Sequence, residues 1–555
     1  MLTIKEGIHD ANKTFTIAQL WLARSLSKEI PELDLRLGQA FLPTRVLDLG
    51  RDAKEERNSR GLGTWFRSKL PPPPPITAPI RLVSPEARSS GQYLTLSHRW
   101  GQSQQFKLTS ATIESFHKNI PFNSLPKTFQ DAVIVTRNLG YRYLWIDALC
   151  IVQDDLQEWR SEAPKMASIY HNSTCTIAAH TAKSDSEGFL EAAFENIPSI
   201  KLTSLHESAG TSSSTSRFPH LYLGGSFKDQ VNESFLTKRG WVFQERILPR
   251  RILHFTRHRV FFEDGSGVQT IDADHNRTPL THSPREDQKF MIEHIVATST
   301  DWYKMVERYS ICALTFDHDR LPAIAGIAAY VRAYDSADEY LFGIWSKSLQ
   351  QGLLWLVADD SPQEVFYEPG RAPPSWSWAR WNGHIRFPLF TATCKPLFQL
   401  VDGFISPEDG LLDSSPEETR PFLSMKADVM ELENVKVTIS GRYAGQFSFG
   451  RPMGGLYYIN SNRSGIADWM AFDGERQDTI CFPNLSCVLV SLLEDTTWVY
   501  DEERGRSVAQ TTQAWYFLIL GKTGEKSEGY RRVGIGAKYR HRPKADFVTR
   551  TIRIE

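Results

Sequence analysis

The sequence predicts an α/β fold in which helices flank a mainly parallel sheet. Three short apolar runs are typical of buried strands: YLTLSHRWG (93–101), YLWI (143–146) and CTIAAH (175–180). Segments with the spacing of amphipathic helices separate these runs. Parallel strands need such crossovers, and their carboxyl ends then bring polar residues to one edge of the sheet.

The composition is that of a globular protein without a strong charge of either sign. Of the 555 residues, 41% are hydrophobic, and 64 Lys and Arg residues nearly balance 65 Asp and Glu residues. This balance favours neither nucleic acid nor anionic lipid as a partner. The six cysteines form no CxxC pair, which indicates neither a zinc site nor a dense disulfide framework. We therefore expect a cytoplasmic protein without a membrane span.

Residues 1–75 are predicted to form an N-terminal helical segment followed by a proline-rich spacer. Between residues 10 and 27, helical spacing is kept by four apolar residues: Phe15, Ala18, Leu22 and Leu26. The run PPPPP at residues 71–75 cannot continue a helix or enter the interior of a sheet. We interpret it as a stiff linker.

The α/β domain is predicted to span residues 90–265. LPKTFQDAVIVTRNLG, which begins at Leu125, is predicted to be a helix with Ser124 as its N-cap and Gly140 as its stop. The segment after the second strand also keeps helical spacing, but Pro164 should kink that helix or delay its start. The Ser-rich run SLHESAGTSSSTS indicates a flexible insert near residues 200–218.

The remaining sequence predicts a short helix, a strand pair or one long strand, and two further regions. KRGWVFQERIL (238–248) has a helical pattern, whereas RRILHFTRHRVFFED (250–264) has a strand pattern. Helical patterns between Trp302 and Gln351 predict a helical connector over residues 290–360. Alternating runs such as VMELENVKVTI and AWYFLILGK predict a β-rich region over residues 370–555.

Two common kinds of catalytic site are not indicated. His254 and His258 are four residues apart in a strand-like segment, and no HExxH motif is present, so we expect no metal site. Ser97, His98 and Asp147 do not predict a hydrolase triad, because adjacent side chains on a strand point to opposite faces. No GxSxG turn accompanies them.

Three blocks of the sequence resemble, in order and wording, the signature blocks of the fungal heterokaryon incompatibility (HET) domain. They are LSHRWG, LWIDALCIVQDD and RGWVFQER. The family usually has LSYCWG in the first block, where this chain has His98 and Arg99. The resemblance implies a trigger of non-self recognition and programmed cell death in filamentous fungi.

HET domains are in turn distantly similar to Toll/interleukin-receptor (TIR) domains, which have a flavodoxin-like parallel sheet. Some TIR domains cleave the nicotinamide bond of NAD with a glutamate four residues after a tryptophan. Trp241 and Glu245 have this spacing, which puts both side chains on one face of a helix. The resemblance implies that Glu245 is catalytic and that Trp241 forms a wall of its pocket.

The same resemblance implies a substrate-binding edge at the end of the first strand. It would consist of residues from the first two strand ends: Ser97, Arg99, Trp100, Gly101 and Asp147. One of three arginines could bind the pyrophosphate of NAD through forked hydrogen bonds: Arg99, Arg239 or Arg246.

One carboxylate suffices for this reaction. Nicotinamide leaves as a neutral ring, so no general acid is needed, unlike in most glycosidases. The carboxylate holds the ribose hydroxyls and stabilises the positive charge of the transition state. We expect NAD as a substrate and no cofactor.

A second interpretation stays open. In it, Glu245 pairs with arginines on a solvated face while Trp241 packs in the core, which leaves a non-enzymatic signalling module. Such a module acts by association. In both interpretations we expect a homo-oligomer or a complex with other incompatibility proteins.

Overall fold

The computed structural model divides into two compact units, residues 1–291 and 292–555. The structure describes residues 4–7, 11–27, 41–50, 78–86, 89–101, 106–194, 197–201, 220–222, 226–270, 299–335, 337–358, 363–368, 372–387, 393–404, 421–439, 443–448, 451–454, 457–459, 469–473, 479–501, 506–523, 529–539, 542–543 and 546–555. The predicted spacer at residues 71–75 and most of the predicted insert near 200–218 lie outside these ranges.

The first unit contains both helices and strands. Its described helices are α1 (Ala11–Leu26), α2 (Ile113–Lys118), α3 (Lys127–Asn138), α4 (Asp147–Cys150), α5 (Leu156–Glu162), α6 (Met166–Asn172), α7 (Leu190–Phe194) and α8 (Gly240–Ile247). Its described strands are β1 (Ile4–Gly7), β2 (Val46–Asp48), β3 (Arg81–Val83), β4 (Tyr93–Ser97), β5 (Tyr143–Trp145), β6 (Cys175–Ala179), β7 (Ile197–Lys201), β8 (His220–Tyr222), β9 (Ile252–Thr256), β10 (Arg259–Asp264) and β11 (Gly267–Thr270).

The main sheet of this unit has eight strands in the order β11-β10-β9-β6-β4-β5-β2-β3. Its four central strands, β9-β6-β4-β5, are parallel to one another. The pairs outside them are antiparallel. The predicted α/β class is confirmed, but the sheet is mixed rather than mainly parallel. One reason is that only Arg257 and His258 connect β9 to β10, which is too short for a parallel crossover.

The parallel strands place a crevice at the ends of β4 and β6. In chain order, the first strand (β4) has the second (β5) on one side and the third (β6) on the other. The chain therefore reverses its direction of travel across the sheet at β4. In open α/β sheets, ligands bind outside the carboxyl ends of the strands at such a point. All residues of β4 and β6 are buried.

The helix stops and breaks predicted from the sequence are confirmed, but one cap is wrong. Gly140 follows α3 with a φ of 84°, and Pro164 lies in a 3-10 turn between α5 and α6. Ser124 does not cap α3, because its hydroxyl donates to the carbonyl of Pro121 at 2.7 Å. The residue at the N-cap position is Pro126.

The N-terminal helix packs on the main sheet. The Trp21 ring of α1 stacks on the Phe262 ring of β10 at 5.7 Å, and the Ser25 hydroxyl accepts a hydrogen bond from Arg251 at 2.9 Å. Strands β1, β7 and β8 form a separate small sheet. Helix α1 is therefore part of the core of the first unit.

The second unit combines a few helices with many strands. Its described helices are α9 (Ser299–Ser310), α10 (Pro322–Tyr334) and α11 (Leu349–Gly352). Its described strands are β12 (Tyr340–Leu341), β13 (Ile344–Trp345), β14 (Leu356–Val357), β15 (Gln363–Glu364), β16 (Trp381–Asn382), β17 (Ile385–Arg386), β18 (Thr393–Pro396), β19 (Phe398–Phe404), β20 (Phe422–Ile439), β21 (Tyr443–Ser448), β22 (Arg451–Gly454), β23 (Tyr457–Ile459), β24 (Trp469–Phe472), β25 (Thr479–Asp501), β26 (Arg506–Lys522), β27 (Gly529–Tyr539) and β28 (Val548–Ile554).

The predicted β-rich C-terminal region is confirmed. Strands β18 to β20 and β23 to β28 form one nine-stranded sheet. Helical patterning was misleading between α10 and α11, because β12 and β13 form a hairpin there. Phe342 and Gly343 make its turn with φ values of 46° and 99°, which no helix contains.

Two further observations concern the whole described chain. Among the described residues, no helix has the length and apolar character needed to cross a membrane. The thiols of Cys150, Cys175, Cys312, Cys394 and Cys487 are all free.

Candidate functional site

Glu245 lies at the crevice where β4 ends. Its side chain projects from α8 and is only 6% exposed. The hydroxyl of Ser97, the last residue of β4, donates to Glu245 Oε2 at 2.6 Å. A buried hydrogen bond to a carboxylate is short and strong, so it joins the helix to the strand end.

Tyr170 supplies a second hydroxyl to the same carboxyl group. Its phenol lies on α6 and is fully buried, and its single proton can be donated either to Glu245 or to the Leu96 carbonyl, which lies 3.1 Å away. Burial and the nearby Glu245 charge hold the pKa of Tyr170 well above its usual range. The phenol therefore stays protonated and can donate.

Burial raises the pKa of Glu245 to about 7. The charge of Asp147 contributes to this rise, whereas Ser97, Arg239 and Tyr170 limit it by favouring the ionised form. A carboxyl group in this state exchanges its proton near neutral pH. Such perturbed groups concentrate at functional sites, although structural networks contain them too.

Asp147 ties the end of β5 to the segment after β4. Its Oδ2 accepts a hydrogen bond from the Trp100 indole at 2.8 Å, and its Oδ1 accepts one from the Ala148 backbone N–H at 2.8 Å. His98 Nδ1 lies 3.8 Å from the same carboxylate. His98 packs edge-on against Phe129 with ring centroids 5.1 Å apart, and burial lowers its pKa. Asp147 thus orders the crevice edge.

The other predicted binding residues lie around this edge in different ways. Arg99 is exposed, whereas a Cβ atom on Gly101 would lie 2.9 Å from Asp185 Oδ1, so a larger residue there would displace that carboxylate. Arg239 donates to the His98 carbonyl at 3.2 Å, and Arg246 donates to Asn232 Oδ1 at 2.6 Å. Only Arg99 presents its side chain openly to solvent.

A narrow cavity of about 10 Å³ adjoins Glu245. This volume is about enough for one water molecule. The cavity is lined by residues of β4, β6, β9, α8 and the adjoining segments: Ser97, Thr176, Ala178, His180, Leu236, Thr237, Val242, Glu245, Arg246, Ile252 and His254.

Trp241 is not among the described residues that line this cavity. Its ring packs edge-on against Trp159 of α5, with centroids 6.1 Å apart. The residue is half-buried. The spacing of Trp241 and Glu245 therefore brings the indole onto a helix contact, while the carboxyl faces the strand end.

A chain of hydrogen bonds on the far side of the cavity was not predicted from the sequence. His180 Nδ1 lies 2.8 Å from Ser234 Oγ, His180 Nε2 lies 2.9 Å from His254 Nδ1, and His254 Nε2 lies 3.0 Å from Glu263 Oε2. His254 thus pairs with His180 of the neighbouring strand segment and not with His258. Strand alternation alone places His254 on one face of β9, but only the β6 to β9 register brings His180 to it.

The described residues contain no group of three or more His, Cys, Asp and Glu side chains that could hold a metal ion. His180 Nε2 and His254 Nδ1 are 2.9 Å apart, which is a hydrogen-bond distance.

Comparison with protein families identifies the domain that carries these groups. Residues 93–245 match the family model described as heterokaryon incompatibility protein (HET). Neither a curated protein nor a solved structure matched the chain. The matched range begins at the first residue of β4 and ends at Glu245 in α8, so it includes both partners of the Ser97 to Glu245 hydrogen bond. Residues 93–245 of this chain are therefore identified as a heterokaryon incompatibility (HET) domain.

Proposed function

We propose that this protein is a cell-death effector of fungal non-self recognition and that Glu245 cleaves the nicotinamide glycosidic bond of NAD. The observation that carries the proposal is the position of Glu245, which is buried at the end of β4 and bonded to Ser97 at 2.6 Å. A carboxyl group at the ends of parallel strands stands where α/β folds bind ligands.

The order of the parallel strands supports the TIR-like part of the proposal. Numbered along the chain, β5, β4, β6 and β9 stand in the order 2-1-3-4. This is the beginning of the flavodoxin-like order. A TIR-like domain would have its crevice at the ends of β4 and β6, where Glu245 lies.

The proposed reaction needs only the ionised carboxylate. The bond between ribose C1′ and the nicotinamide nitrogen breaks, and its electron pair stays on the ring, which leaves neutral. Water then adds to C1′ and loses one proton, giving ADP-ribose. Glu245 would hold the ribose hydroxyls and stabilise the positive charge that develops on the ribose.

The size of the cavity sets a condition on this activity. A space of about 10 Å³ cannot admit a nicotinamide riboside. The carboxyl group of Glu245 is also already hydrogen-bonded to Ser97 and Tyr170. The site would have to open before substrate binds. We propose that self-association of the protein opens it, so that activity would rise with protein concentration.

The small volume of this cavity also favours a second candidate function. If Glu245 only fastens α8 to β4, the domain would be a non-enzymatic signalling module that acts by self-association. The two candidates differ in one measurable property, the consumption of NAD.

The test compares Glu245→Gln and Glu245→Ala with a matched control, Glu233→Gln. Glu233 is an exposed glutamate of the preceding loop, and its Oε2 lies 3.6 Å from Lys238 Nζ. NAD consumption by purified protein is measured over a rising protein concentration. We expect turnover in the unmodified protein and the control, and a loss of about 10²-fold or more in both Glu245 variants.

Cell killing after expression in a fungal host is measured for the same variants. Loss of both killing and NAD turnover in folded Glu245 variants would support catalysis. Unchanged killing with undiminished NAD would reject it in favour of the signalling module.

A further inference from the structure

A chain of four polar side chains runs from the surface of the first unit into its core. It consists of Ser234, His180, His254 and Glu263, and its three links measure 2.8, 2.9 and 3.0 Å. His254 and Glu263 are each 1% exposed. Buried polar groups cost free energy unless they are hydrogen-bonded, and each of the three links in this chain is formed.

The carboxylate at the inner end of the chain determines which atom donates the proton in each hydrogen bond. An ionised carboxylate only accepts hydrogen bonds, so Glu263 Oε2 takes one from His254 Nε2–H. Arg246 Nη2 lies 3.9 Å from Glu263 Oε1. In a neutral imidazole the other nitrogen is an acceptor, so His254 Nδ1 accepts from His180 Nε2–H. His180 Nδ1 therefore accepts from the hydroxyl of Ser234.

His180 is held in the neutral form that this arrangement requires. Burial, together with the facing His254 ring and the charge of Arg246, keeps its pKa well below the usual range. The lone pair on Nδ1 is thus available at neutral pH and points at Ser234 Oγ.

The outer end of the chain lies in a surface loop. Ser234 is partly exposed, the side chains of Glu233 and Lys238 are each 57% exposed, and Phe235 is 70% exposed. The Thr237 backbone N–H donates to Ser234 Oγ at 3.3 Å and steadies it. A hydroxyl on a partly exposed loop residue with an oriented base behind it is the arrangement of an activated nucleophile.

We propose that Ser234 is a nucleophilic serine that uses His180 as its general base and takes acyl groups from esters. His254 and Glu263 are positioning residues, which hold the His180 ring in the correct tautomer. The exposed Phe235 ring beside the nucleophile fits an ester with an apolar acyl group. This site goes beyond the NAD chemistry of Glu245 and does not depend on it.

The reaction step is an acyl transfer. Ser234 Oγ attacks the carbonyl carbon, and its proton passes to His180 Nδ1. The bond to the alcohol then breaks, and that alcohol leaves with the proton from His180. Water attacks the acyl-serine in the same way, which releases the acid and restores the hydroxyl. No oxidant or cofactor enters the balance.

The test treats the purified full-length protein with an alkyl fluorophosphonate. In this reaction an oxygen–phosphorus bond forms on serine, fluoride leaves, and the serine proton passes to the base. We expect one adduct by intact mass, which peptide mapping assigns to Ser234. Ser234→Ala should abolish it, whereas Ser226→Ala should not, because that exposed serine bonds to Asp229 at 2.7 Å and not to a histidine. Absence of an adduct on Ser234 in the folded protein, or labelling no faster than in urea, would overturn the proposal.

The base is tested by chemical rescue. His180→Ala should slow labelling by about 10²-fold or more, since general-base catalysis contributes that much. Added imidazole should restore part of the rate, because the deleted ring leaves space beside the existing cavity. A labelling rate that His180→Ala leaves unchanged would show that Ser234 needs no base and would contradict the proposal.

The positioning role has a readout that a structural role would not give. Glu263→Gln should slow labelling by roughly 10-fold or more in the protein with His180. It should have no effect on labelling that imidazole restores in the His180→Ala protein, because Glu263 acts through His180. An equal loss in both backgrounds would mean that Glu263 only maintains the fold.

Discussion

At the scale of single residues, the carboxyl group of Glu245 has an unusual environment. Two hydroxyl groups bond to it, and yet burial and the charge of Asp147 raise its pKa to about 7. The ionised form is disfavoured because water no longer solvates it. The side chain therefore holds a proton in the folded protein at pH values where an unfolded glutamate has lost it.

This shift predicts a pH-dependent stability. The folded pKa of about 7 lies above the ordinary value of 4.5, so the folded state binds more protons between these values. Stability must then fall as the pH rises from about 4.5 to about 7, by roughly 3 kcal/mol for this group. Glu245→Gln removes the titration, so its melting temperature relative to the unmodified protein should rise between pH 5 and pH 8.

The comparison is made by calorimetry at both pH values, with Glu233→Gln as the exposed control. The melting temperature of Glu233→Gln should differ from that of the unmodified protein by the same amount at each pH. If the Glu245→Gln difference stays constant as well, Glu245 is ionised in the fold at both pH values and its carboxyl is better solvated than its burial implies.

At the scale of elements, tight turns and strand ends bring the important groups together. The β12–β13 hairpin turns at Gly343, whose φ of 99° favours glycine. The Gly343 carbonyl accepts hydrogen bonds from the indoles of Trp302 and Trp378, both at 3.0 Å. This turn therefore anchors two buried aromatic side chains of the second unit.

Replacing that glycine should be costly. In Gly343→Ala the new Cβ atom would overlap the Trp378 indole nitrogen and would strain the backbone as well. We expect a loss of more than about 2 kcal/mol. Gly267→Ala is the matched control, because its φ is 123° but nothing lies within 4 Å of the new Cβ atom.

Thermal unfolding followed by tryptophan fluorescence measures both changes. The control should lose only the cost of backbone strain, about 1 kcal/mol. Equal losses in the two variants would show that the Trp378 ring moves aside without cost.

At the scale of the whole molecule, the chain contains two compact units. The first has its own core, in which the buried strands β4, β6 and β9 are covered by helices. A unit with its own hydrophobic core can fold alone.

We therefore expect residues 1–291, expressed alone, to fold cooperatively. The product should give one unfolding transition by circular dichroism and should retain the pH-dependent stability of Glu245. The matching piece is residues 292–555, which should fold with its nine-stranded sheet. Aggregation of the 1–291 product without a transition would mean that the first unit needs the second.

How well a strand can be predicted from the sequence depends on whether the interactions that form it are local or long-range. Strands β4, β5 and β6 were predicted within one or a few residues of their ends, because each is a continuous apolar run. Strands β2 and β3 were missed. Three residues carry no periodicity, and these strands exist only because they pair with β5 and with each other.

The sequence by itself determined the α/β class, the presence of a HET domain and the position of Glu245 on a short helix, since local spacing and ordered motifs are written along the chain. Only the tertiary structure decided that Ser97 and Tyr170 meet Glu245, that Trp241 turns to Trp159, and that His180 meets His254. Those contacts join residues far apart in sequence. They follow from strand register and helix packing, which no local pattern encodes.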